Sequence, residues 1–529
     1  MIISELKRTR KMRALIKKLF AVLMSISMIC MCIGCTVTDN LKTVQQTEKP
    51  QNTDDDQETN NSITIGVVDL DTYNPLVTQS VTMQDMLGFI FEPLFSLDDK
   101  QNTIGVLAKS YNTAPDGKSI TLNIKENVIW HDGTSFLSDD VIYTIKTILN
   151  SDSRYKNVIN NIVSVSKIND KSLTATFDRS VPNPAALFSF PIIKNGSNLT
   201  SFKPVGTGPF FLDYDKLTSF EAYHGEKSKI KNIYVKSVPD NDKYVSLFNA
   251  SVIDVADSSM FDMNEYTPRS NASVNEYVTN EMVFVGFNTQ DSVFKFCETR
   301  RSIYEIINRK SIVSHIYYSR AKVAHYPINP TSRFYPDTAE NMHSDHGVAE
   351  KELKDGKWKK DKRGVYFRAD EKGMTYFSVE ILVNSADTER IKIAAEISET
   401  MSELGMKNTV TACSESEFSS RLQSGNYDMF IGKISLLPNN DITGLISGEN
   451  NLNYSDNTTN ILLTQLGTLT AENDKKDIYA QLFERVKEDC PIAPICFLKD
   501  SIITSAKIKS GVCPSVSGAV SRTEKWSTK

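Results

Sequence analysis

Few segments of this 529-residue chain combine the residue types and spacings that catalysis requires. Gly117-Lys118-Ser119 resembles the end of a phosphate-binding loop, but Asn112 stands where such a loop needs its first glycine. These residues follow Ala-Pro-Asp and are expected to form a turn between two strands. No Gly-x-Ser-x-Gly or His-Glu-x-x-His motif occurs. The sequence gives no positive sign of an enzyme, and no catalytic residue is predicted.

Histidine and carboxylate side chains could instead hold a metal ion. His343, Asp345 and His346 lie close together in a polar stretch, which is also the form of an ordinary solvated loop. His131 and Asp132 are adjacent, so their side chains point apart on a strand and a structural role is expected. We therefore predict no metal site and no cofactor.

The cysteines do not form a recognisable framework. Of the eight in the chain, three lie within the first 35 residues, and the other five are widely spaced. An odd number without paired spacing implies neither a disulfide scaffold nor a zinc site. Buried thiols are expected, and whether Cys490 and Cys496 are bonded to each other stays open.

The charge of the chain is unevenly distributed. The first 34 residues carry seven lysines and arginines against one carboxylate, Glu5, whereas the whole chain has a net charge of −5. An acidic body gives no reason to expect nucleic-acid binding. Residues 19–34 contain no charged side chain, and this run is shorter than the about 20 residues of a bilayer span. Residues 1–34 are therefore predicted to be a signal peptide.

Ile33-Gly34-Cys35 resembles the lipobox of bacterial lipoproteins, in which the cysteine becomes the lipidated first residue of the mature protein. Cys32 departs from that pattern, because leucine is usual three residues before the cysteine. We expect lipid attachment at Cys35 and a body on the extracellular side of the cell membrane; an uncleaved anchor or plain secretion stays open. Residues 35–61 are polar and without periodicity, and they are expected to form a disordered tether.

Strand-like and helix-like segments alternate irregularly after the tether. The first strand is expected from Ile63, where β-branched residues alternate with others. Helices are expected at 138–149, 301–317 and 388–404, the last ending before Gly405. Mixed order of this kind predicts α/β or α+β lobes rather than a strict βαβ repeat.

Several of these segments resemble the family 5 extracellular solute-binding proteins, the oligopeptide, dipeptide and nickel receptors of ABC importers. In the family's order they are the hairpin at 108–128, Trp130-His131-Asp132-Gly133-Thr134, Ser138-Asp139-Asp140-Val141, Pro204-Val205-Gly206-Thr207-Gly208-Pro209-Phe210, Phe287-Asn288-Thr289, Ile307-Asn308-Arg309 and Asn453-Tyr454-Ser455. The resemblance covers about 63–510, which is nearly all of the body.

The resemblance implies an α/β fold with mixed α+β lobes, in which a hinge joins two lobes around an inter-lobe ligand cleft. Lobe 1 is expected at 62–283, with an extra subdomain at about 81–199, and lobe 2 at 286–494. Residues 495–529 are expected to return to lobe 1. The implied function is capture of a peptide-like solute by a monomeric receptor, which delivers it to an ABC permease and its ATPase subunits.

The segment that binds the ligand's amine in peptide-binding members is altered here. Those members have Gly-Trp-x-x-Asp-Tyr, and the aspartate pairs with the α-ammonium of the ligand. In this chain Lys433 follows Gly432, and Leu436 stands at the position of the acid. A buried ammonium without a partner is costly. Either Asp441 serves instead, or the ligand is not a free-amine peptide.

The other candidate ligand contacts also follow from the resemblance. Tyr73 and Asn74, after the first strand, and Trp130 are candidates from lobe 1. Asp441 and Tyr454 are the candidates from lobe 2.

Other functions stay open on the same fold. The chain could be a lipid-tethered sensor or partner-binding module, or a receptor for a non-peptide solute such as a nickel complex. An extracellular hydrolase is a further alternative, but it would need a nucleophile–base pair that the sequence does not show. Function depends on the site rather than on the fold.

Overall fold

A computed structural model describes residues 61–261, 269–371, 373–447, 450–520 and 522–528. The predicted signal peptide, the lipidation site Cys35 and the tether up to residue 60 lie outside the described residues. Within the described ranges, no helix has the length and apolar character needed to cross a membrane.

The strands carry most of the framework. In chain order they are β1 (Ser62–Val68), β2 (Phe95–Leu97), β3 (Thr103–Gly105), β4 (Ala108–Thr113), β5 (Ser119–Ile124), β6 (Ile162–Asn169), β7 (Ser172–Phe177), β8 (Phe210–Asp213), β9 (Lys216–Ser219), β10 (Asn232–Val238), β11 (Val255–Asp257), β12 (Ser273–Phe287), β13 (Ala321–Val323), β14 (Lys359–Lys360), β15 (Tyr366–Asp370), β16 (Gly373–Tyr376), β17 (Ser378–Asn384), β18 (Lys407–Cys413), β19 (Met429–Ser435), β20 (Ile492–Thr504), β21 (Ile508–Ser510) and β22 (Ser527–Thr528).

Some helices pack against these strands and others pack against one another. They are α1 (Val81–Gly88), α2 (Ser138–Leu149), α3 (Asn241–Asn249), α4 (Cys297–Ile306), α5 (Arg309–Ser311), α6 (His346–Asp355), α7 (Thr388–Glu403), α8 (Glu415–Ser424), α9 (Thr443–Ile446), α10 (Asn457–Thr468) and α11 (Glu472–Asp489).

One large sheet runs through the whole body in the order β18-β17-β19-β12-β20-β11-β1-β10-β9-β8, with β13 paired to β20. We call lobe 1 the part built on β11, β1, β10, β9 and β8, and lobe 2 the part built on β19, β17 and β18. A separate sheet, β4-β5-β7-β6, packs with α2 and is called the subdomain. The lobe limits predicted from the sequence stay predictions.

The strands β12 and β20 pass from one lobe to the other. Residues 273–278 pair with 499–504 in lobe 1, and 282–286 pair with 492–497 in lobe 2. The register shifts between Val278 and Met282, so the ladder is irregular at 279–281. A break in a hydrogen-bonded ladder is a place where two rigid parts can rotate. We call residues 279–281 the hinge.

Each lobe has its own apolar cores. In lobe 1 one cluster joins the sheet to α1 and the subdomain, and a second lies against α3. In lobe 2 one cluster lies against α4, α6 and α7, and another lies against α10 and α11. Separate cores allow each lobe to move as a unit.

The prediction of a single helix at 301–317 is wrong. The chain forms α4, then Ile307 is extended with φ −71° and ψ 109°, and α5 begins after Asn308. The Asn308 side chain accepts a hydrogen bond from the backbone N–H of Ser311 and so caps a new helix start. The buried Arg309 fixes this break, because its Nε donates to the carbonyl oxygen of Pro494 at 2.7 Å.

The Pro-Val-Gly-Thr-Gly-Pro segment has a structural role in lobe 1. A Cβ atom at Gly206 would overlap the carbonyl oxygen of Ile90, so the two backbones approach closely only because residue 206 is glycine. The Thr207 hydroxyl donates to the buried Glu92 carboxylate at 3.0 Å, which also accepts from Tyr223 Oη at 2.7 Å and bonds His224 Nε2 at 2.8 Å. Glu92 therefore ties three chain segments together.

Replacing Glu92 by alanine removes the carboxylate that the Thr207 hydroxyl, the Tyr223 hydroxyl and the His224 ring share as a hydrogen-bond partner. We expect Glu92→Ala to lower the free energy of unfolding by about 3 kcal/mol or more, because each buried group that loses its partner is costly. Chemical denaturation measures this. The control is Glu221→Ala, which removes an exposed carboxylate that pairs with Lys227 and Lys231 and should leave the midpoint unchanged. Equal effects of the two changes would contradict the assignment.

Candidate functional site

The carboxyl ends of the central strands in both lobes lie towards the hinge. In lobe 1, β1 and β11 are parallel, and Asp257 at the end of β11 pairs with Ile502 of β20. In lobe 2, β19 ends where Ser435 pairs with Glu281. Ligands of open α/β sheets bind beyond the carboxyl ends of strands. The space beside the hinge, between the two sets of strand ends, is therefore the candidate cleft.

Three carboxylates of lobe 1 lie near enough to one another for their charges to interact: Asp85 of α1, Asp257 of β11 and Asp500 of β20. We call them the hinge carboxylates. The Asp257 Oδ1 atom accepts hydrogen bonds from Ser259, from N at 2.8 Å and from Oγ at 2.6 Å. The Asp500 carboxylate accepts from the Ser258 hydroxyl. Tyr277 lies opposite Asp500 in the ladder.

The charges of the hinge carboxylates act on one another. Burial and, after it, the charge of Asp500 raise the pKa of Asp257 to about 6. Burial, then the charges of Asp257 and Asp500, hold the pKa of Asp85 well above its usual range. The positive charge of Arg154 opposes this rise in the pKa of Asp85, but its effect is smaller than that of burial or of either aspartate. The charged forms of Asp85 and Asp257 are therefore disfavoured, and a cation placed beside them would stabilise those forms.

The start of α1 is fixed to the end of β1, which positions Asp85. The Ser80 hydroxyl donates to the carbonyl oxygen of Val68 at 2.6 Å and accepts from the backbone N–H of Met83 at 3.3 Å. The backbone N–H of Val68 donates to the Thr82 hydroxyl at 2.8 Å. These bonds hold α1 against the strand end, so Asp85 moves with lobe 1.

Two cavities flank the hinge strands. One of about 240 Å³ is lined by three carboxylates, Glu276, Glu281 and Asp500, and also by the cations Arg320 and Lys499. The other, of about 470 Å³, lies beside β13, where Lys499 Nζ bonds Glu276 Oε2 at 3.0 Å. A polar lining that contains carboxylates beside cations suits a solute with charged groups.

The predicted first-lobe contacts Tyr73 and Asn74 lie in the loop between β1 and α1. The Asn74 Oδ1 atom accepts from the backbone N–H of Leu76 at 3.0 Å, so the amide oxygen stabilises its own turn. Tyr73 packs against the lobe 1 core. Both residues follow the carboxyl end of a central strand, and their contact with a solute stays a prediction.

Trp130 and Tyr454 lie in the cores of different lobes. Trp130 is fully buried, and its Nε1 donates to Asp140 Oδ2 at 3.2 Å. Tyr454 is also buried, and its hydroxyl donates to Asp489 Oδ2 at 2.7 Å. The structure does not bring these two side chains together, and each has a packing role that does not require a solute.

Asp441 already has a cation as its partner. Its Oδ2 accepts from Arg179 Nη2 at 2.8 Å, and its Oδ1 accepts from the backbone N–H of Thr443 at 2.9 Å. The side chain is 1% exposed. Leu436 packs against the lobe 2 core, and its backbone N–H donates to Asn280 in the hinge. An ammonium at Asp441 would have to compete with Arg179.

The hinge carboxylates were missed from the sequence because they come from three distant segments. The signal that could have found Asp257 is its place, directly after the short buried strand β11 and before Ser258 and Ser259. Asp500 lies inside a long strand, and a sequence pattern gives no reason to choose it.

Residues 102–454 match the model of the bacterial extracellular solute-binding proteins, family 5. The chain belongs to this family. Its function is solute binding for an ABC importer, and the extracellular side is where this family acts. The prediction of the family from sequence motifs is confirmed.

The sequence relatives of this chain agree with the family assignment. The oligopeptide-binding protein AppA of Bacillus subtilis is 22% identical over 451 residues, with 79% of this chain and 82% of AppA covered. The nickel-binding periplasmic protein of Escherichia coli is 20% identical, with 80% and 86% covered.

The fold agrees with solved structures. The structure of AppA in complex with a nonapeptide matches with a TM-score of 0.59 at 20% identity, covering 88% of this chain and 99% of AppA. HbpA2 from Haemophilus parasuis matches with a TM-score of 0.74 at 17% identity, covering 89% and 100%. The predicted α/β, two-lobed binding-protein fold is confirmed.

The raised pKa of Asp257 gives a pH dependence of stability. The folded state holds this proton more tightly than the unfolded state does, so the contribution of Asp257 to stability decreases as pH rises from about 4 to 6. Asp257→Asn keeps the acceptor for Ser259 and removes the charge. We expect the variant to exceed the wild type in melting temperature at pH 7.5 and to lose that advantage at pH 4.

The matched control is Asp116→Asn, because Asp116 is exposed and its Oδ1 accepts from the backbone N–H of Lys118 at 2.9 Å in a similar turn. This control should show no pH-dependent gain. A gain of Asp257→Asn that is equal at both pH values would contradict the electrostatic account.

Proposed function

We propose that the chain captures a peptide-like solute between its lobes, with a positive group of the solute against the hinge carboxylates. The relative AppA is an oligopeptide-binding protein and has been solved with a nonapeptide. Delivery is to an ABC permease with its ATPase subunits, and the receptor acts as a monomer without catalysis of its own.

The observation that carries this proposal is a difference in electrostatic surroundings between Asp441 and the hinge carboxylates. Asp441 is paired with Arg179, whereas burial, together with the charges of neighbouring carboxylates, raises the pKa of Asp85 and of Asp257. An ammonium or guanidinium group placed among them would relieve this repulsion in a partly water-excluded site. The hinge carboxylates thus serve a solute cation even though Leu436 replaces the family's aspartate.

Binding is tested by the melting temperature and by calorimetry of the chain from residue 62 onward, with free-amine peptides and their N-acetylated forms. A ligand that binds the folded state raises the melting temperature with concentration. Asp500→Asn keeps an acceptor for Ser258 and removes the charge, so we expect it to weaken binding of free-amine peptides roughly tenfold or more. Glu221→Gln, an exposed carboxylate change, is the control.

The same titration has a predicted pH dependence. Because the pKa of Asp257 is about 6, affinity for a cationic solute should fall as the pH falls below about 6 and be flat above it. If Asp500→Asn binds free-amine peptides as tightly as the wild type does, the positive group of the solute does not bind at Asp500. If no peptide raises the melting temperature, the proposal that the chain captures peptides is wrong.

A nickel complex is the alternative solute, and similarity to the nickel-binding periplasmic protein supports it. Among the residues that the structure describes, no group of three or more histidine, cysteine, aspartate or glutamate side chains is arranged to hold a metal ion. This favours a chelate, recognised as a whole, over a bare ion. Nickel complexes therefore belong in the same thermal-shift panel, and a shift with them alone would select this alternative. A lipid-tethered sensor on the same fold remains if no solute binds.

We also propose that Cys35 carries a lipid that holds the chain at the extracellular face of the membrane. The basic residues 1–18 and the uncharged run 19–34 before Ile33-Gly34-Cys35 support this. In a bacterial host, the wild-type chain is expected in the detergent phase after phase separation, and Cys35→Ala is expected to lose the lipid. A chain that reaches the detergent phase equally well with alanine at 35 would point to an uncleaved anchor.

A further inference from the structure

The subdomain contacts lobe 2 directly, away from the hinge strands. Residues 179–183, just after β7, lie against 439–441 and against the helices α10 and α11. We call this contact the closing face. Its members are separated by more than 250 residues in sequence and belong to different lobes.

An ion pair with unequal burial lies at its centre. Arg179 Nη2 donates to Asp441 Oδ2 at 2.8 Å, and the two side chains are 37% and 1% exposed. The Asp441 carboxylate is shielded from water and depends on its partner, whereas the Arg179 side chain stays partly exposed. Separation of the lobes would remove the cation from Asp441.

A reciprocal set of amide bonds surrounds the pair. Asn183 Nδ2 donates to the carbonyl oxygen of Asn439 at 3.1 Å, and Asn439 Nδ2 donates to that of Pro182 at 2.8 Å. The buried Lys475 of α11 donates from Nζ to Asn183 Oδ1 at 2.8 Å. Asn183 has a left-handed φ of 45°, which orients its side chain towards lobe 2. Every one of these bonds crosses between the lobes.

Close backbone packing completes the closing face. The Ser180 hydroxyl donates to the carbonyl oxygen of Thr464 in α10 at 3.1 Å. A Cβ atom at Gly467 in the same helix would overlap Ser180 Oγ and lie 2.7 Å from the backbone nitrogen of Val181. The two lobes therefore reach this distance only because residue 467 is glycine.

We propose that the closing face is a latch that holds the closed form of the receptor, and that Asp441 sets affinity through Arg179 rather than by touching the solute. The lobes are connected independently by β12 and β20, which are irregular at 279–281. Rotation at the hinge must make or break the closing face. The closed form is stabilised by contacts of the protein alone, and a solute adds its own contacts to that equilibrium.

The latch is tested first on the solute-free chain from residue 62 onward, by small-angle X-ray scattering. Asp441→Asn keeps the Oδ1 bond to Thr443 and removes the partner of Arg179. We expect Asp441→Asn and Arg179→Gln to increase the radius of gyration. The control is Arg301→Gln, which breaks an ion pair of 2.9 Å with Glu352 inside lobe 2 and should leave the radius unchanged.

A steric variant tests the same face without changing a charge. Gly467→Ala is compatible with its helix and adds only a methyl group at the closing face. We expect a larger radius of gyration and an unchanged melting temperature. The matched control is Gly444→Ala in α9, where a Cβ atom meets nothing within 4 Å. A radius equal to that of the wild type in Arg179→Gln, Asp441→Asn and Gly467→Ala would overturn the proposal.

Solute binding gives a second readout that rests on the proposed function. If the closed fraction falls tenfold, the apparent Kd rises about tenfold for every solute, with or without a free amine. If Asp441 instead held the solute's ammonium, Asp441→Asn would weaken free-amine peptides alone, and Arg179→Gln would strengthen them. Failure of peptide binding leaves the scattering result intact, so the two proposals fail separately.

Discussion

The two long strands β12 and β20 are the constraint on which the rest of this structure depends. They pair in both lobes, and the ladder has its longest interruption at 279–281, with a second register shift between Val283 and Phe284. Hydrogen-bonded strands resist bending, so relative motion of the lobes is concentrated at the interruption. Asn280 lies there, and its side-chain oxygen accepts from Gln101 of lobe 1 at 2.9 Å and from Asn329 of lobe 2 at 3.0 Å.

This arrangement divides the charged groups near the cleft by lobe. Asp500 and Tyr277 lie on the lobe 1 side of the hinge, and Leu436 lies on the lobe 2 side. Aspartates with similar chemistry therefore have different surroundings. Asp441 is buried and paired with Arg179, whereas burial and neighbouring carboxylates raise the pKa of Asp85 and of Asp257 and so disfavour their charged forms. An un-neutralised charge of this kind suits a solute and costs folding stability.

The sequence predicted the fold better than the site. As expected from the sequence, α2 begins at Ser138 and α7 begins at Thr388, and Gly405 after α7 has φ +85°. These features are local, because a cap or a turn depends on a few neighbouring residues. A single helix at 301–317 does not form, because the Asn308 cap starts a new helix and a tertiary bond from Arg309 to Pro494, which the sequence does not show, stabilises the break.

The site depends on distant parts of the chain, which explains the limits of its prediction. The partner of Asp441 is Arg179, 262 residues earlier, and the neighbours of Asp257 include Asp500 in the last strand of the large sheet. Family motifs identified Asp441 as a candidate but could not show that it is already paired. Cys490 and Cys496 are also close in sequence, yet both are buried free thiols.

The most direct test is a crystal structure of the chain with a free-amine peptide that stabilises it. We expect the ammonium nitrogen of the peptide within about 3 Å of a hinge carboxylate, with charge-assisted hydrogen bonds to it. We also expect Arg179 to remain bonded to Asp441. An ammonium bonded to Asp441, with Arg179 displaced, would contradict the account.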